Sequence, residues 1–413
     1  YMKIAVIGSG ISGLSAAHFL SKKYKVDLFE KNDHFGGHSY TVEVSNDSNE
    51  KISIDLGFIV FNKINYPNLL NLFNKLKINY EKSNMSFSVS VKNSNIEYSG
   101  SGLKGLFANK YNIFNLKFLK MIKEIFSFYK EAEKMDKKIS KNKSLGEFLK
   151  SKNMSEYFVN FHIIPMVAAI WSMTPELAEK MPMEFFLRFF KNHGLFKLKN
   201  RPNWYTVSGR SKTYVDKILK TISGEYFKNY EISNVVRSKN KVRVYYGSTN
   251  EYFDYDKIIF ATHADEALKL INKPTENEKK ILSKFKYKKN IAYLHKDKNL
   301  MPISKNAWAS WNSILDKEDL KKNCFTYWLN KLQNLNTLEN YFLTLNPIFE
   351  IENKKTIAKV EFTHPFYDAT TIKAQKYLYE LQGVNNTWFC GSYFGYGFHE
   401  DGLKSAIDVA NKL

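Results

Sequence analysis

The stretch from residue 3 to residue 30 constrains the fold more than any other part of the chain. It begins with a short apolar run bounded by glycine, which is typical of a buried parallel strand. Gly8, Gly10 and Gly13 follow in the spacing G-x-G-x-x-G, which permits a tight turn, close approach to a pyrophosphate and close helix packing. A helical pattern and a second strand lead to Glu30, whose carboxylate is placed to accept a ribose 2′-hydroxyl. This order predicts a dinucleotide-binding β-α-β unit with a helix N-terminus at the phosphates.

Length and composition indicate a globular chain with a lysine-rich surface. The 413 residues predict two or three domains, and 44% of them are hydrophobic. The formal net charge is +21, but only five of the 62 basic residues are arginine. Lysine without arginine suits a solvated surface better than bidentate phosphate binding, so nucleic acid is disfavoured as a partner. Cys324 and Cys390 have neither metal-ligand spacing nor a disulfide pattern, which predicts a reducing cytoplasm and no metal site.

Two further glycine motifs lie outside this unit. Gly36 and Gly37 follow Glu30 by six residues and expose backbone amides, which suits a second approach to the dinucleotide, although a plain turn is the alternative. Near the C-terminus a strand pattern ends at Gly391, a glycine-rich loop follows, and a helix begins near Asp401. Neither motif would have a role if NAD were the sole cofactor, so NAD alone is disfavoured.

These motifs resemble the dinucleotide and double-glycine motifs of the FAD-containing flavin amine oxidase and phytoene desaturase superfamily. Longer segments are similar to one branch, the predicted NAD/FAD-binding proteins associated with cyclopropane-fatty-acyl-phospholipid synthases. The segments that carry this similarity are Asp55–Asn62 with Tyr66–Asn68, Arg201–Gly209, Trp308–Asn312 and Gly395–Gly402. The resemblance implies an α/β fold, with a Rossmann-like FAD/NAD(P)-binding domain of the amine-oxidase type and a second, mixed-sheet plus helical substrate domain.

The resemblance also implies a discontinuous division of the chain into two domains. The FAD-binding domain is assigned to residues 1–65, 207–270 and 385–413. The substrate-binding domain is assigned to residues 66–206 and 271–384, with a helical insertion over about 110–200.

FAD is the cofactor that the resemblance implies, and its contacts transfer motif by motif. The helix near Asp401 would direct its positive end at flavin N1 and C2=O, where reduction places negative charge. Ser392 stands where many relatives carry an acid. The predicted cofactor-binding residues are Gly8, Ser9, Gly10, Ile11, Ser12, Gly13, Glu30, Lys31, Gly36, Gly37, His38, Ser39, Gly57, Phe58, Ile59, Val236, Thr262, Gly391, Ser392, Asp401, Gly402 and Leu403.

Aromatic residues between the glycine motifs indicate a hydrophobic substrate, although aromatic residues at helical spacing also build cores. The predicted substrate-pocket residues are Tyr66, Trp171, Trp204, Trp308 and Trp328. The acid or base candidates are His399, Glu400 and Tyr396, because proton transfer must accompany hydride transfer.

One position argues against amine oxidation. Many amine oxidases carry a lysine that holds a water at flavin N5, and this chain has Asn290 there by alignment. Strand alternation puts the neighbouring Lys289 on the opposite face.

Three functions remain open. The favoured one is an FAD-dependent oxidoreductase acting on an unsaturated or methylated fatty acyl chain or phospholipid, by oxidation, desaturation or a redox-neutral double-bond shift. A flavin amine oxidase is the first alternative. A non-catalytic escort of the same fold, binding a lipid or a protein, is the second, and the intact glycine motifs argue against it.

Membrane contact and assembly are less constrained. No stretch approaches the ~20 apolar residues of a membrane-spanning helix, so any membrane contact must be peripheral. Residues 115–138 predict an amphipathic helix with a lysine-rich face, which is either a surface helix or a basic helix on anionic lipid headgroups. We expect a cytoplasmic protein, at the inner face of the membrane in the second case. The oligomeric state stays open.

Overall fold

The computed structural model describes residues 2–135, 142–197 and 200–413. The strands in these ranges are β1 Lys3–Ile7, β2 Lys25–Phe29, β3 Thr41–Ser45, β4 Lys51–Asp55, β5 Phe61–Asn62, β6 Tyr80–Ser83, β7 Phe87–Lys92, β8 Glu97–Ser99, β9 Trp204–Val207, β10 Tyr226–Phe227, β11 Ile232–Arg237, β12 Val242–Tyr246, β13 Tyr252–Tyr255, β14 Lys257–Phe260, β15 Lys286–His295, β16 Trp311–Asp316, β17 Asn323–Trp328, β18 Phe342–Leu345, β19 Thr356–Phe366 and β20 Thr387–Phe389.

The α-helices in the same ranges are α1 Ile11–Leu20, α2 Pro67–Leu76, α3 Gly102–Leu106, α4 Leu116–Lys134, α5 Leu145–Ser151, α6 Glu156–Phe158, α7 Ile164–Ile170, α8 Pro175–Glu179, α9 Met183–Asn192, α10 Lys212–Leu219, α11 Ala264–Leu270, α12 Glu276–Leu282, α13 Leu329–Gln333, α14 Ala369–Gln375 and α15 His399–Lys412. A π-helical segment, Val159–Ile163, joins α6 to α7. The 3-10 helices are Lys110–Phe114, Lys298–Leu300, Lys305–Ala307, Asn353–Lys355, Leu378–Leu381, Val384–Asn386 and Ser392–Phe394.

A five-stranded parallel sheet, in the order β10-β2-β1-β14-β20, carries the nucleotide motif. Strand β1 lies at its centre, and its last four residues are almost completely buried. Ile4 and Val6 face a core built with α1, α2, α10 and α15, whereas Ala5 and Ile7 face a core built with the β11-β12-β13 sheet. A strand covered on both faces has to be apolar throughout, which explains the uninterrupted run Ile4–Ile7.

The second large sheet has seven strands in the order β19-β15-β18-β17-β16-β7-β8. Its pairs are antiparallel except β16 with β7, so the sheet is mixed. Residues of this sheet and of helices α4 to α9 share the largest hydrophobic core of the described residues. These features confirm the predicted fold class, a Rossmann-like α/β unit with a second mixed sheet and helices. The domain boundaries stay a prediction.

Helix α4 corresponds to the predicted amphipathic segment. It begins after Asn115, whose side-chain oxygen accepts hydrogen bonds from the amides of Lys117 and Phe118 and so caps the helix. Phe118, Met121 and Phe128 are buried on one face. The helix is described to Lys134, and the predicted end at residue 138 lies outside the described residues.

Asp55, at the end of β4, joins three segments through one buried carboxylate. The backbone amide and hydroxyl of Ser211 and the hydroxyl of Thr41 donate hydrogen bonds to it. The Asp55 amide donates to Gln333. Burial raises the pKa of Asp55 to about 6, although these hydrogen bonds oppose the shift.

We expect Asp55→Asn to flatten the pH dependence of thermal unfolding. The folded-state pKa exceeds the ordinary value, so the stabilisation is fully present below about pH 4 and is lost as the pH rises through 6. The shift corresponds to about 3 kcal/mol in the free energy of unfolding. Melting temperatures of the wild type, of Asp55→Asn and of the exposed control Asp408→Asn, measured from pH 4 to pH 7, test this. Parallel curves for all three proteins would contradict it.

Candidate functional site

The amino-terminal glycines form a backbone cradle at the carboxyl end of β1. Gly8 has a positive φ of 97°, and a Cβ there would lie 2.9 Å from the Ala261 carbonyl oxygen. The Gly36 amide donates a hydrogen bond to the Ser9 carbonyl oxygen, at 3.0 Å. A Cβ at Gly37 would lie 3.0 Å from the Cα of Gly10, so the two predicted glycine motifs are in contact.

Gly10 and Gly13 have different roles within this cradle. A Cβ at Gly13 would overlap the carbonyl oxygen of Gly8, so only glycine lets α1 pack this closely against the turn after β1. Gly10 has an ordinary φ of −63°, and a Cβ there meets no atom of the described residues within 4 Å. The space in front of Gly10 and the N-terminus of α1 therefore fits a pyrophosphate, which side chains at this position would exclude.

The C-terminal helix α15 reaches the same cradle. A Cβ at Gly402 would lie 2.6 Å from the hydroxyl of Ser12 and 3.0 Å from the side chain of Ile11. The Ser405 hydroxyl accepts a hydrogen bond from the Gly391 amide, which fixes the loop after β20 on the helix. The two ends of the chain thus meet at one site.

The Glu30 carboxylate already has four donors. One oxygen accepts from the amide and hydroxyl of Ser9, at 3.1 and 2.5 Å. The other accepts from the amide and side-chain nitrogen of Asn32, both at 2.9 Å. Because a carboxylate offers about four lone-pair sites, a ribose hydroxyl would have to replace one of these donors.

The glycine-rich loop before α15 is held by Asp401. Its carboxylate accepts a hydrogen bond from the Phe398 amide at 2.9 Å, and a Cβ at Gly395 would overlap it. Burial raises the pKa of Asp401 to about 6. The side chain of Asp401 therefore shapes the loop that leads into α15.

His399 lies beneath Phe58 and is not free to act as predicted. The two rings are stacked, with centroids 3.6 Å apart and planes 7° from parallel. Its Nε2 shares hydrogen bonds with Ser39 at 2.9 Å and with Tyr214 at 3.1 Å. Burial lowers the pKa of His399 well below its usual value. The neutral ring therefore packs against Phe58, and the Ser39 hydroxyl lies within hydrogen-bond distance of both Tyr214 and His399.

Glu400 differs from its prediction as well. One of its oxygens accepts hydrogen bonds from the amide and side chain of Asn68, and the other accepts from the Leu69 amide. These amides belong to the first turn of α2, which starts at Pro67. Glu400 is thus a cap for a helix N-terminus, which is a structural use for a carboxylate.

Trp171 and Tyr396 belong to an aromatic cluster against the glycine-rich loop. The Trp171 indole donates a hydrogen bond to the carbonyl oxygen of Tyr396 at 3.0 Å. The Phe189 ring lies 4.6 Å from Trp171 and is stacked on Phe398 at 5.3 Å. Phe185 lies 5.1 Å from Tyr396. The loop that precedes α15 therefore has an apolar wall from α7 and α9.

Three predicted pocket residues lie elsewhere. Trp308 and Trp328 pack edge to face against each other at 5.2 Å, and Trp308 also contacts Phe342. Tyr66 is buried beside Phe61, in the core under the parallel sheet. Trp308 and Trp328 have no ring contact with the Trp171 cluster among the described residues, whereas Tyr66 lies 6.3 Å from Phe58, the ring that is stacked on His399.

Trp204 starts strand β9, whose partners are β5 and β6. It packs against the hydrophobic cores of both large sheets.

A polar cluster of Asn290, His364 and His38 lies next to this wall, because Ser172, which follows Trp171, bonds to Asn290. His38 is a predicted cofactor-binding residue, whereas His364 was not predicted from the sequence. Asn290 is fully buried, and its side-chain nitrogen donates to Nδ1 of His364 at 2.7 Å and to the Ser172 carbonyl oxygen at 3.0 Å. His364 therefore carries its proton on Nε2. The ring of His38 lies 5.1 Å from that of His364, and its Nε2 is buried with no hydrogen-bond partner among the described residues. Burial lowers the pKa of His38 to about 4.

The remaining predicted residues divide between backbone and side-chain roles. Gly57 packs on the His38 carbonyl oxygen, which accepts from the Phe58 amide at 2.7 Å. The Lys31 ammonium pairs with Glu266 at 2.6 Å, and Lys289 pairs with Glu361 on the outer face of β15. Five further predicted residues have these positions. Ile59 is buried after β4, and Leu403 is buried in α15. Val236 is paired with Arg243, Thr262 lies beside Gly8, and Ser392 follows β20.

Comparisons with known proteins agree with this geometry. The family model described as an NAD(P)-binding Rossmann-like domain matches residues 6–76. A 1-hydroxycarotenoid 3,4-desaturase from Flavobacterium sp. (strain P99-3) is 54% identical over 43 residues, which are 10% of this chain and 9% of the desaturase.

Solved structures resemble the whole chain. A CLA-producing fatty acid isomerase from P. acnes has a TM-score of 0.67 at 12% identity, with 100% of this chain and 98% of the isomerase covered. A variant of putrescine oxidase has a TM-score of 0.70 at 12% identity over 100% and 98% of the two chains. Cyclohexylamine oxidase from Brevibacterium oxydans IH-35A has a TM-score of 0.67 at 14% identity over 100% and 99%. This chain therefore shares its fold with these oxidases and the isomerase, and its Rossmann-like unit supports FAD as the predicted cofactor.

Proposed function

We propose that this protein is an FAD-dependent oxidoreductase that acts on a hydrophobic substrate, an unsaturated or methylated fatty acyl chain or phospholipid. The observation that carries the proposal is the aromatic wall of Trp171, Phe185, Phe189 and Phe398, packed on the loop that precedes α15. When bound, FAD supplies a hydride acceptor or donor. The product class depends on the fate of both the hydride and the proton: both are lost in a desaturation, whereas the hydride returns to a different carbon in a double-bond shift.

The chain's own residues suit apolar substrates. Rings from α7, α9 and the loop exclude water from the site, which strengthens electrostatic interactions inside it. The polar groups that face the wall are neutral, because burial lowers the pKa values of His38 and His364. His364 is held by Asn290 with a proton on Nε2, so it can donate a hydrogen bond or exchange a proton there.

The structural relatives support the class and leave the substrate open. One is titled a fatty acid isomerase and two are titled amine oxidases, at similar TM-scores. The sequence resemblance to proteins associated with cyclopropane-fatty-acyl-phospholipid synthases favours an acyl chain. Amine oxidation is the second candidate, and it is weakened by the buried Asn290 and the outward-facing Lys289. An escort without chemistry would not need the empty space before Gly10.

We expect Gly10→Val to fold normally and to lose FAD. A Cβ at this position meets no described atom within 4 Å and the backbone angles are ordinary, so the side chain would occupy only the pyrophosphate space. Bound flavin, measured by absorbance at about 450 nm after purification, should fall by roughly tenfold or more while circular dichroism is unchanged. Gly100→Val is the matched control, because a Cβ there also meets no described atom. A yellow Gly10→Val protein would contradict this placement of FAD.

Substrate screening tests the proposed function. Unsaturated and methylated free fatty acids and phospholipids are added to the purified protein, flavin bleaching is followed without air, and lipid mass is measured after a parallel incubation in air. Loss of two hydrogens indicates desaturation, gain of oxygen indicates oxidation, and a moved double bond at constant mass indicates isomerisation. Bleaching by putrescine or other amines, with none by lipids, would replace the proposal by amine oxidation. A colourless preparation would favour the escort.

We also propose that the enzyme meets its lipid substrate at an anionic membrane surface. Five large apolar residues around α3 and the start of α4 are between 75% and 85% exposed: Leu103, Tyr111, Phe114, Leu116 and Ile303. Exposed lysines, Lys104, Lys110, Lys117 and Lys120, lie among them in sequence. No helix of the described residues has the length and hydropathy to cross a bilayer. Apolar side chains with flanking lysines suit insertion at a lipid headgroup boundary.

Substitution of Phe114 and Leu116 by serine should weaken binding to vesicles of phosphatidylglycerol and phosphatidylcholine. Removal of each side chain costs about 2 kcal/mol of the free energy of transfer from water to the membrane. Vesicle binding measured by cosedimentation should therefore fall at least tenfold. Leu338→Ser, at another fully exposed leucine, is the matched control. Equal binding of all three proteins, or equal binding to purely zwitterionic vesicles, would contradict the surface.

A further inference from the structure

A cavity of about 250 Å³ lies at one end of the mixed sheet and is lined by lysines from two segments. Lys288 and Lys289 come from β15, and Lys321 and Lys322 come from the loop between β16 and β17. The cavity lining contains no carboxylate. Lys289 points to the opposite face of β15, so the positive charges beside this volume come from Lys288 and from the loop lysines Lys321 and Lys322. Such charges favour an anion, and lysine provides mobile point charges that suit a phosphate or a carboxylate.

Two of these lysines are available for a ligand. Lys289 pairs with Glu361 at 3.0 Å, and Lys322 lies 3.8 Å from Asp319. Among the described residues, Lys288 and Lys321 form no ion pair. Lys288 is partly buried, and this burial lowers its pKa, an effect that the nearby Glu176 carboxylate opposes.

A second observation points to a ligand. The side-chain nitrogen of Asn323, which also lines the cavity, is buried and has no hydrogen-bond partner among the described residues. An unsatisfied buried donor costs about 1–3 kcal/mol, so such a group normally has a partner. The Asn323 side chain would have to turn toward the cavity for an anion there to accept from this nitrogen.

The cavity is connected to the polar cluster by shared residues. Ser172 and Asn346 line the cavity, and both bond to the Asn290 side chain. The Ser172 carbonyl oxygen accepts a hydrogen bond from it at 3.0 Å, and the side-chain nitrogen of Asn346 donates one to it at 2.7 Å. Lys288 pairs across β15 and β19 with His364, and it shares the strand face of Asn290. One layer of hydrogen bonds therefore separates the cavity from the histidine cluster.

We propose that this cavity binds the anionic end of the acyl substrate, a carboxylate or a phosphate. This inference rests on the proposed function for the identity of the acyl chain. A volume of 250 Å³ is about eight times the ~30 Å³ share of one water molecule, so a carboxylate or phosphate with its hydration fits. The lysines then hold the charged end of the substrate in the cavity, so that no charged group of the substrate reaches the neutral cluster around Asn290.

The test measures binding as well as turnover, with an unsaturated C18 free acid, its methyl ester, a phosphatidylglycerol with the same chain and inorganic phosphate. Wild type is compared with Lys288→Gln combined with Lys321→Gln. Lys317→Gln is the control, since Lys317 is exposed in the same loop and does not line the cavity. We expect the double variant to weaken binding of the free acid and the phosphatidylglycerol by about tenfold and to leave the methyl ester unchanged. The control should match the wild type.

Three other outcomes overturn the proposal, and a fourth separates it from the proposed function. An equal loss of binding for the free acid and the methyl ester would show that the lysines have a structural role. No loss of binding would show that the lysines do not contact the headgroup. Binding of inorganic phosphate that depends on Lys288 and Lys321, without an effect on either lipid, would make the cavity a free-phosphate site. If acid and ester are distinguished as expected but neither changes the flavin spectrum, the headgroup site stands and the proposed function fails.

Discussion

Close approach of backbone to backbone at glycine is the constraint on which the rest of the structure depends. Gly13 lies against the Gly8 carbonyl, Gly37 against Gly10, and Gly402 against Ser12. A side chain at any of these contacts would separate the elements by more than the packing tolerates. These contacts let α1 and α15 lie together over one parallel sheet, so the first and last parts of the chain build a single cradle.

A second feature of the structure is that the aromatic wall around Trp171 lies next to the neutral polar cluster around Asn290. Burial is the main cause of the lowered pKa values of His38, His364 and His399, and neighbouring histidines lower them further. Asn290 connects this cluster to a basic cavity through Ser172 and Asn346. Charge is thus kept at the outside of the site, which is compatible with a substrate that is apolar at its reacting part.

Predictions from sequence succeeded where the signal was local and failed where it was not. The glycine spacing and the apolar run of β1 predicted the Rossmann unit, because strand, turn and helix follow one another within thirty residues. Strand alternation predicted that Lys289 faces away from Asn290. Glu400 and His399 were chosen for their chemistry at a motif, but their partners, Asn68, Leu69, Ser39 and Tyr214, are more than 180 residues away. Trp308 and Trp328 were chosen by residue type, which does not distinguish a pocket wall from a sheet core.

The amino-acid sequence by itself determined the nucleotide cradle and the α/β class, because glycine positions and strand periodicity are local properties of the chain. Only the tertiary structure decided which aromatic rings line the site, that Phe58 covers His399, and that Asn290 orients His364. It also decided that lysines from β15 and from the β16–β17 loop surround one cavity. Such groupings depend on strand order and register in the mixed sheet, which bring together residues that no short sequence pattern connects.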